Sequence, residues 1–154
     1  SEASKKWQTF AIDDLAPLLY PNLCNSLSNA YNAFAYVHNV PTFTPLQRIL
    51  VQSVGSLAMY LAASKIKSKR NITDEVQALE DALRRLEDEG FSENGNVYLS
   101  GTDQPCLGDI AVYGVLQGLE GLSVLDLVMR EDRTQIVAWY QRMTQEVHGS
   151  TVMQ

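Results

Sequence analysis

From Leu46 to Ala62 apolar residues return every three or four positions, as Leu46, Ile49, Leu50, Val54, Leu57, Ala58, Leu61 and Ala62. That interval follows the turn of an α-helix and not the alternation of a strand, so the stripe predicts one long helix. Thr44 and Pro45 are its start signal: the hydroxyl can accept an orphan amide, and proline fits the first helical position. The small residues Gly55, Ser56, Ala58, Ala62 and Ala63 would let neighbouring backbones come close, which predicts a buried helix at the centre of a bundle. Its uncharged run, Ile49 to Ala63, is shorter than the ~18 to 20 residues that span a bilayer, and Gln52, Ser53 and Ser56 interrupt it. Lys65, Lys67, Lys69 and Arg70 follow, the sign of charge that suits a helix C-terminus.

The same periodicity recurs on both sides. Trp7, Phe10, Ala11, Leu15, Leu18 and Leu19 line one face of a first helix, which Pro17 should bend and Pro21 should end. Ser28 to Val37 reads as a short second helix. Thr73, then Asp74 and Glu75, opens another whose apolar face is Val76, Leu79, Leu83 and Leu86. Its Glu80 with Arg84 and Asp81 with Arg85 stand at i,i+4, as on a peripheral helix, and Gly90 is a natural C-cap. Phe91 to Pro105 is the longest loop, with Val97, Tyr98 and Leu99 as an apolar anchor. Helices resume at Cys106 to Gln117, Val124 to Met129 and Thr134 to Val147, the last burying Ile136, Trp139, Tyr140, Met143 and Val147. The expected fold is an all-α bundle of six or seven helices in a single domain over residues 1–154.

Composition narrows the function. The 154 residues are long enough to bury one core without disulfides, and 45% hydrophobic with 19% charged residues is a globular balance. A net charge of −6 offers no broad basic footprint, so nucleic acid is not an expected partner. The two cysteines, Cys24 and Cys106, have no Cys-x-x-Cys spacing and no nearby histidine to complete a zinc set. Free thiols, no metal and a cytoplasmic location are expected, with any membrane association arising from sequence upstream of Ser1.

The stretch Tyr98, Leu99, Ser100, Gly101, then Pro105, Cys106, Leu107, Gly108, Asp109, Ile110, Ala111, Val112, Tyr113, Gly114 has the form of a capping box. Asp109 at the third helical position can reach back to the amide of Cys106, and Ile110 can staple onto the residue before the cap. The stretch resembles the loop-and-helix signature of glutathione-transferase C-terminal domains, where the cap is usually Ser, Thr or Asn and here is Cys106. Three further stretches are similar to the prostaglandin E synthase type 2 family: Lys6, Trp7 through Asp14 to Tyr20, Pro21, Asn22; Ala58, Met59, Tyr60, Leu61 to Lys67, Ser68, Lys69; and Ala111 to Leu116 through Glu120, Gly121, Leu122.

This resemblance implies the helical half of a two-part isomerase. In the family a thioredoxin-like N-terminal domain holds a Cys-x-x-Cys thiol that converts prostaglandin H2 to prostaglandin E2, and glutathione or haem can occupy the cleft between the halves. No stretch here matches the thiol motif, so the resemblance places no catalytic residue and no cofactor in these 154 residues. The first-helix positions usually given as His and Ser are Pro17 and Tyr20 here. Lys65 and Lys69 keep positive charge where the family offers basic groups to ligand carboxylates. Tyr20, Lys65 and Lys69 are therefore the expected ligand-facing residues, and Cys106 with Asp109 the expected structural cap. The implied partners are the chain's own thioredoxin-like domain, a second copy and a small lipid-like substrate. A helical domain of this kind can also serve as a docking module with no chemistry.

Cys106 sits where a helix dipole can activate a thiol, but no basic side chain lies near it in sequence, and a half-buried cap is the favoured reading. Asp109 is likewise better explained by capping than as a catalytic acid. The run Lys65 to Arg70 could bind an anion or acidic lipid, although a solvated helix end explains it as well.

Overall fold

The computed structural model describes residues 1–91 and 97–149. The stretch 92–96 of the expected loop lies outside the described residues. The helices are α1 (Glu2–Thr9), a π-helix (Phe10–Leu15), α2 (Ala16–Leu23), α3 (Leu27–Ala33), a 3-10 turn (Ala35–Asn39), α4 (Pro45–Lys69), α5 (Glu75–Gly90), α6 (Leu107–Gln117), α7 (Val124–Val128) and α8 (Thr134–Gly149), with no strand among the described residues. With α1, the π-helix and α2 following one another without a break, the described residues form seven helices, an all-α architecture as expected. It divides into two compact units, residues 1–16 with 80–154, and residues 17–79.

In the first unit α1 and the π-helix pack on α6, and α6 packs on α8. The first-helix stripe is buried as its spacing predicts, with Trp7, Phe10, Ala11 and Leu15 in the core beside Leu83, Leu86, Val112, Leu116, Ile136, Trp139 and Met143. Pro17 does not simply bend the rod. With no amide to donate and a ring that crowds the carbonyl four residues back, it follows a stretch wound as a π-helix, in which the Ala16 amide bonds to Ala11 O. Pro21 does not end the helix either and lies inside α2. Gly108 lets α1 and α6 touch: a Cβ there would stand 2.7 Å from Trp7 Cβ and 3.1 Å from Ser4 O. Gly90 is no αL cap, since it lies within α5 and its φ is not positive; a Cβ there would meet the end of the Leu99 side chain at 2.6 Å.

Two expectations for α5 are corrected. Its cap is Asp74, whose Oδ1 accepts from the Gln77 amide at 3.0 Å, and not Thr73. The expected Glu80–Arg84 pair gives way to longer-range ones, Glu80 pairing with Arg130 at 2.9 Å and with the buried Arg133, while Arg85 pairs with Asp14 at 2.9 Å and with Glu89, its i,i+4 neighbour, at 3.4 Å. Leu79, Leu83 and Leu86 are buried while Asp81, Arg84, Arg85 and Asp88 are exposed, so α5 is amphipathic with a narrow apolar face as expected, although Val76 stays 42% exposed.

The second unit holds α3 and the 3-10 turn against α4. Its small core is Cys24, Ala30 and Ala63, with Leu23, Met59 and Tyr60 packed on it. Asn22 is buried and donates to Leu18 O and Glu75 O, both at 2.8 Å, which ties the end of α2 to the start of α5.

Candidate functional site

Helix α4 begins as expected: Thr44 Oγ1 accepts from the Gln47 amide at 3.3 Å, and Gln47 Oε1 accepts from the Thr44 amide at 2.9 Å. Its orientation is the reverse of the expected one. Leu46 is 77% exposed, Leu50 61%, Leu57 50% and Leu61 58%, and Ile49 and Val54 are exposed too, whereas the buried residues are Gln52, Ser56 and Ala63. The expected central core helix is thus a surface helix with its polar side turned inward. The reason lies in its neighbour. Gln52 Nε2 donates to Tyr31 O at 2.8 Å and its Oε1 faces His38 Nε2 at 2.7 Å, while Ser56 Oγ donates to Gln52 O. Because the Gln52 amide nitrogen already donates, its oxygen must accept, so His38 carries a proton on Nε2. Gly55 completes the contact by leaving room for Phe34, whose ring would meet a Cβ at 2.6 Å.

In length and composition α4 is sufficient to cross a membrane: its best window has a mean hydropathy of 1.4 and is 17% buried. The expectation that this stretch is too short counted only the uncharged run and left out the flanking turns.

At the far end of the helix, Leu57, Leu61, Lys65 and Lys69 succeed one another at i,i+4, so the two lysines continue the flank of the exposed apolar stripe. Lys67 points elsewhere and binds Glu75 at 2.6 Å, and its donation holds the Glu75 carboxyl below the usual range although burial pushes the other way. Lys65 and Lys69 are exposed and make no ion pair or hydrogen bond among the described residues. Tyr20 on α2 is also exposed, and no hydrogen bond joins it to either lysine.

Cys106 and Asp109 form the expected box, set in the other unit. Asp109 is completely buried; its Oδ2 accepts from the Cys106 amide at 2.8 Å, and its Oδ1 from the Leu99 amide at 2.8 Å and from Trp139 Nε1 at 2.9 Å. The last two bonds were invisible to the capping pattern, which reads only neighbours in sequence. Ile110, the expected staple, stays 54% exposed. Cys106 is half-buried, whereas Cys24 is buried and desolvation raises its thiol pKa.

These features define an all-α protein whose longest helix presents an exposed apolar face that ends in Lys65 and Lys69, two cations without an ion pair among the described residues. No family model matches the chain. It is 31% identical over 138 residues to prostaglandin E synthase 2 of Danio rerio, covering 90% of this chain and 36% of that protein. It is also 31% identical over 142 residues to prostaglandin E synthase 2 of Mus musculus, covering 92% of this chain and 36% of that protein. The chain spans little more than a third of the length of these relatives.

Proposed function

We infer that the chain is the helical C-terminal part of a prostaglandin E synthase 2-like protein, glutathione-transferase-like in type, and that it forms one wall of the ligand cleft. The observation that carries this is the pair Lys65 and Lys69, without an ion pair among the described residues and aligned with an apolar flank, in a chain similar over nine-tenths of its length to prostaglandin E synthase 2 proteins. In this reading the lysines meet the carboxylate of a lipid-like acid and the stripe meets its hydrocarbon. The isomerisation of prostaglandin H2 to prostaglandin E2 is done by a thiol in a thioredoxin-like domain upstream, where glutathione or haem would also bind. Tyr20 lines the same cleft.

The test is prostaglandin E2 formation by the full-length protein that carries this segment, followed by mass spectrometry. Replacing Lys65 and Lys69 together by Ala should raise KM about tenfold or more with little change in kcat, since two charge-assisted contacts are worth more than ~1.4 kcal/mol. Turnover by residues 1–154 alone, or unchanged kinetics in the double variant, would refute the reading. A docking module without chemistry is the rival that the bare leucines favour. It gains if no Cys-x-x-Cys stretch lies upstream.

A further inference from the structure

The charge of this chain is strongly partitioned. No Asp or Glu occurs between Asp14 and Asp74. Residues 17–79 hold five of the 12 basic and two of the 18 acidic residues, a net +3, and the remainder of the chain carries −9. One of those two acids, Glu75, is engaged by Lys67. The positively charged unit is also the one that leaves Leu46, Leu50, Val54, Leu57 and Leu61 exposed on one side of α4, with Lys65 and Lys69 following on the same flank.

We propose that this face of α4 docks on an anionic bilayer surface, the helix lying along it with its leucines in the acyl boundary and Lys65 and Lys69 among headgroup phosphates. Apolar side chains flanked by cations are the chemistry such a surface recognises, each nearby cation strengthening the attraction about fivefold. The helix lies on the membrane and does not cross it. Its inner side is packed on α3 and the 3-10 turn through Gln52, Tyr31 and His38, and a crossing would carry Asn29, Asn32, His38 and Asn39 into hydrocarbon. A second copy of the chain does not match the face. Isologous pairing of two parallel α4 helices sets Lys65 against Lys65, and antiparallel pairing sets it near residues 43–48, which contain Arg48 and no acid.

The inference gives the face that the proposed function assigns to a cleft to a bilayer instead, and the two are told apart because binding to lipid is measured without turnover, whereas the cleft reading is tested by the kinetics of the full-length protein. The experiment is flotation of the 154-residue chain with vesicles of phosphatidylcholine, alone or with roughly one third phosphatidylserine. Binding should be at least tenfold stronger on the anionic vesicles and should fall as salt is raised. Leu50→Ser combined with Leu57→Ser, both at exposed positions, should keep the circular dichroism spectrum and weaken binding tenfold or more. Lys65→Gln combined with Lys69→Gln should remove most of the preference for anionic lipid, about 25-fold at about fivefold per lysine. No flotation, equal binding to both vesicle types, or binding indifferent to both double variants would overturn the proposal. So would a lipid-free dimer, seen by light scattering, that the leucine substitutions dissolve, since the occupant would then be a second copy.

Discussion

Replacing Asp109 by Ala should be among the most damaging single changes in this chain. The carboxylate is completely buried and accepts from the Cys106 amide, the Leu99 amide and Trp139 Nε1 at 2.8 to 2.9 Å. It therefore joins the start of α6, the anchor of the preceding loop and the middle of α8. Alanine strands two fully buried donors, each at a cost of about 1 to 3 kcal/mol, and losing the cap on α6 costs about 1 kcal/mol more. Water entering the space left by the carboxylate would recover part of this, so the expected loss is about 3 to 5 kcal/mol, as large as the whole margin of a weak domain. Asp109→Asn should lose roughly half as much, because the amide oxygen can still serve Leu99 and Trp139 while its nitrogen opposes the Cys106 N–H. Equilibrium urea unfolding, followed by circular dichroism and by tryptophan emission, reads both values. An alanine variant within about 1 kcal/mol of the parent would mean that these three bonds do not act together, and the account of how α6 is held would fail.

Gly108→Ala should destabilise by about 2 kcal/mol or more, because the new methyl meets Trp7 Cβ and the Ser4 carbonyl, neither of which can swing aside; a melting temperature equal to the parent's would contradict the close approach of α1 and α6. The Glu75 carboxyl has its pKa lowered in the folded chain by Lys67, so its contribution is fully present above the ordinary carboxylate value of about 4.3 and is lost as pH falls through the lower folded value. Glu75→Gln should accordingly flatten the acid limb of melting temperature against pH in that window, and an unchanged limb would refute the pairing. Cys24 should resist thiol reagents at neutral pH until the chain unfolds, because it is buried and its thiol pKa is raised; rapid modification of the native protein at Cys24, mapped by mass spectrometry, would show that its core opens readily. Cys106, half-buried and with no cation beside it in sequence, should label no faster than in the unfolded chain.

Much of the fold could be read from single residues because the signals were local. Thr44 with Pro45, the first-helix stripe from Trp7 to Leu15, and Asp109 reaching back to Cys106 all act within one or two turns, and each stands as its spacing implied. The orientation of α4 is a different kind of question. Periodicity separates the two sides of a helix without saying which side turns inward, and hydrophobicity alone points to the larger apolar stripe as the inner one. A second stripe was present: Gln52, Ser56 and Ala63 lie opposite Leu46, Leu50, Leu57 and Leu61, and Gly55 sits at its edge. Small residues mark close backbone approach, and a glutamine among them marks a hydrogen bond to a neighbouring carbonyl, here Tyr31 O. That combination is what a helix needs to seat against another helix when its greasy side is kept for something else. The place of the two lysines beside the stripe was legible from spacing, since Lys65 and Lys69 follow Leu61 at i,i+4, whereas their lack of an ion pair among the described residues was not. Lys67 stands between them in sequence, and only the path of the chain into α5 makes it the one that Glu75 takes. An exposed apolar stripe running into two cations is costly to leave bare in water, and the occupants proposed for this face, each with hydrocarbon and negative charge, would relieve that cost.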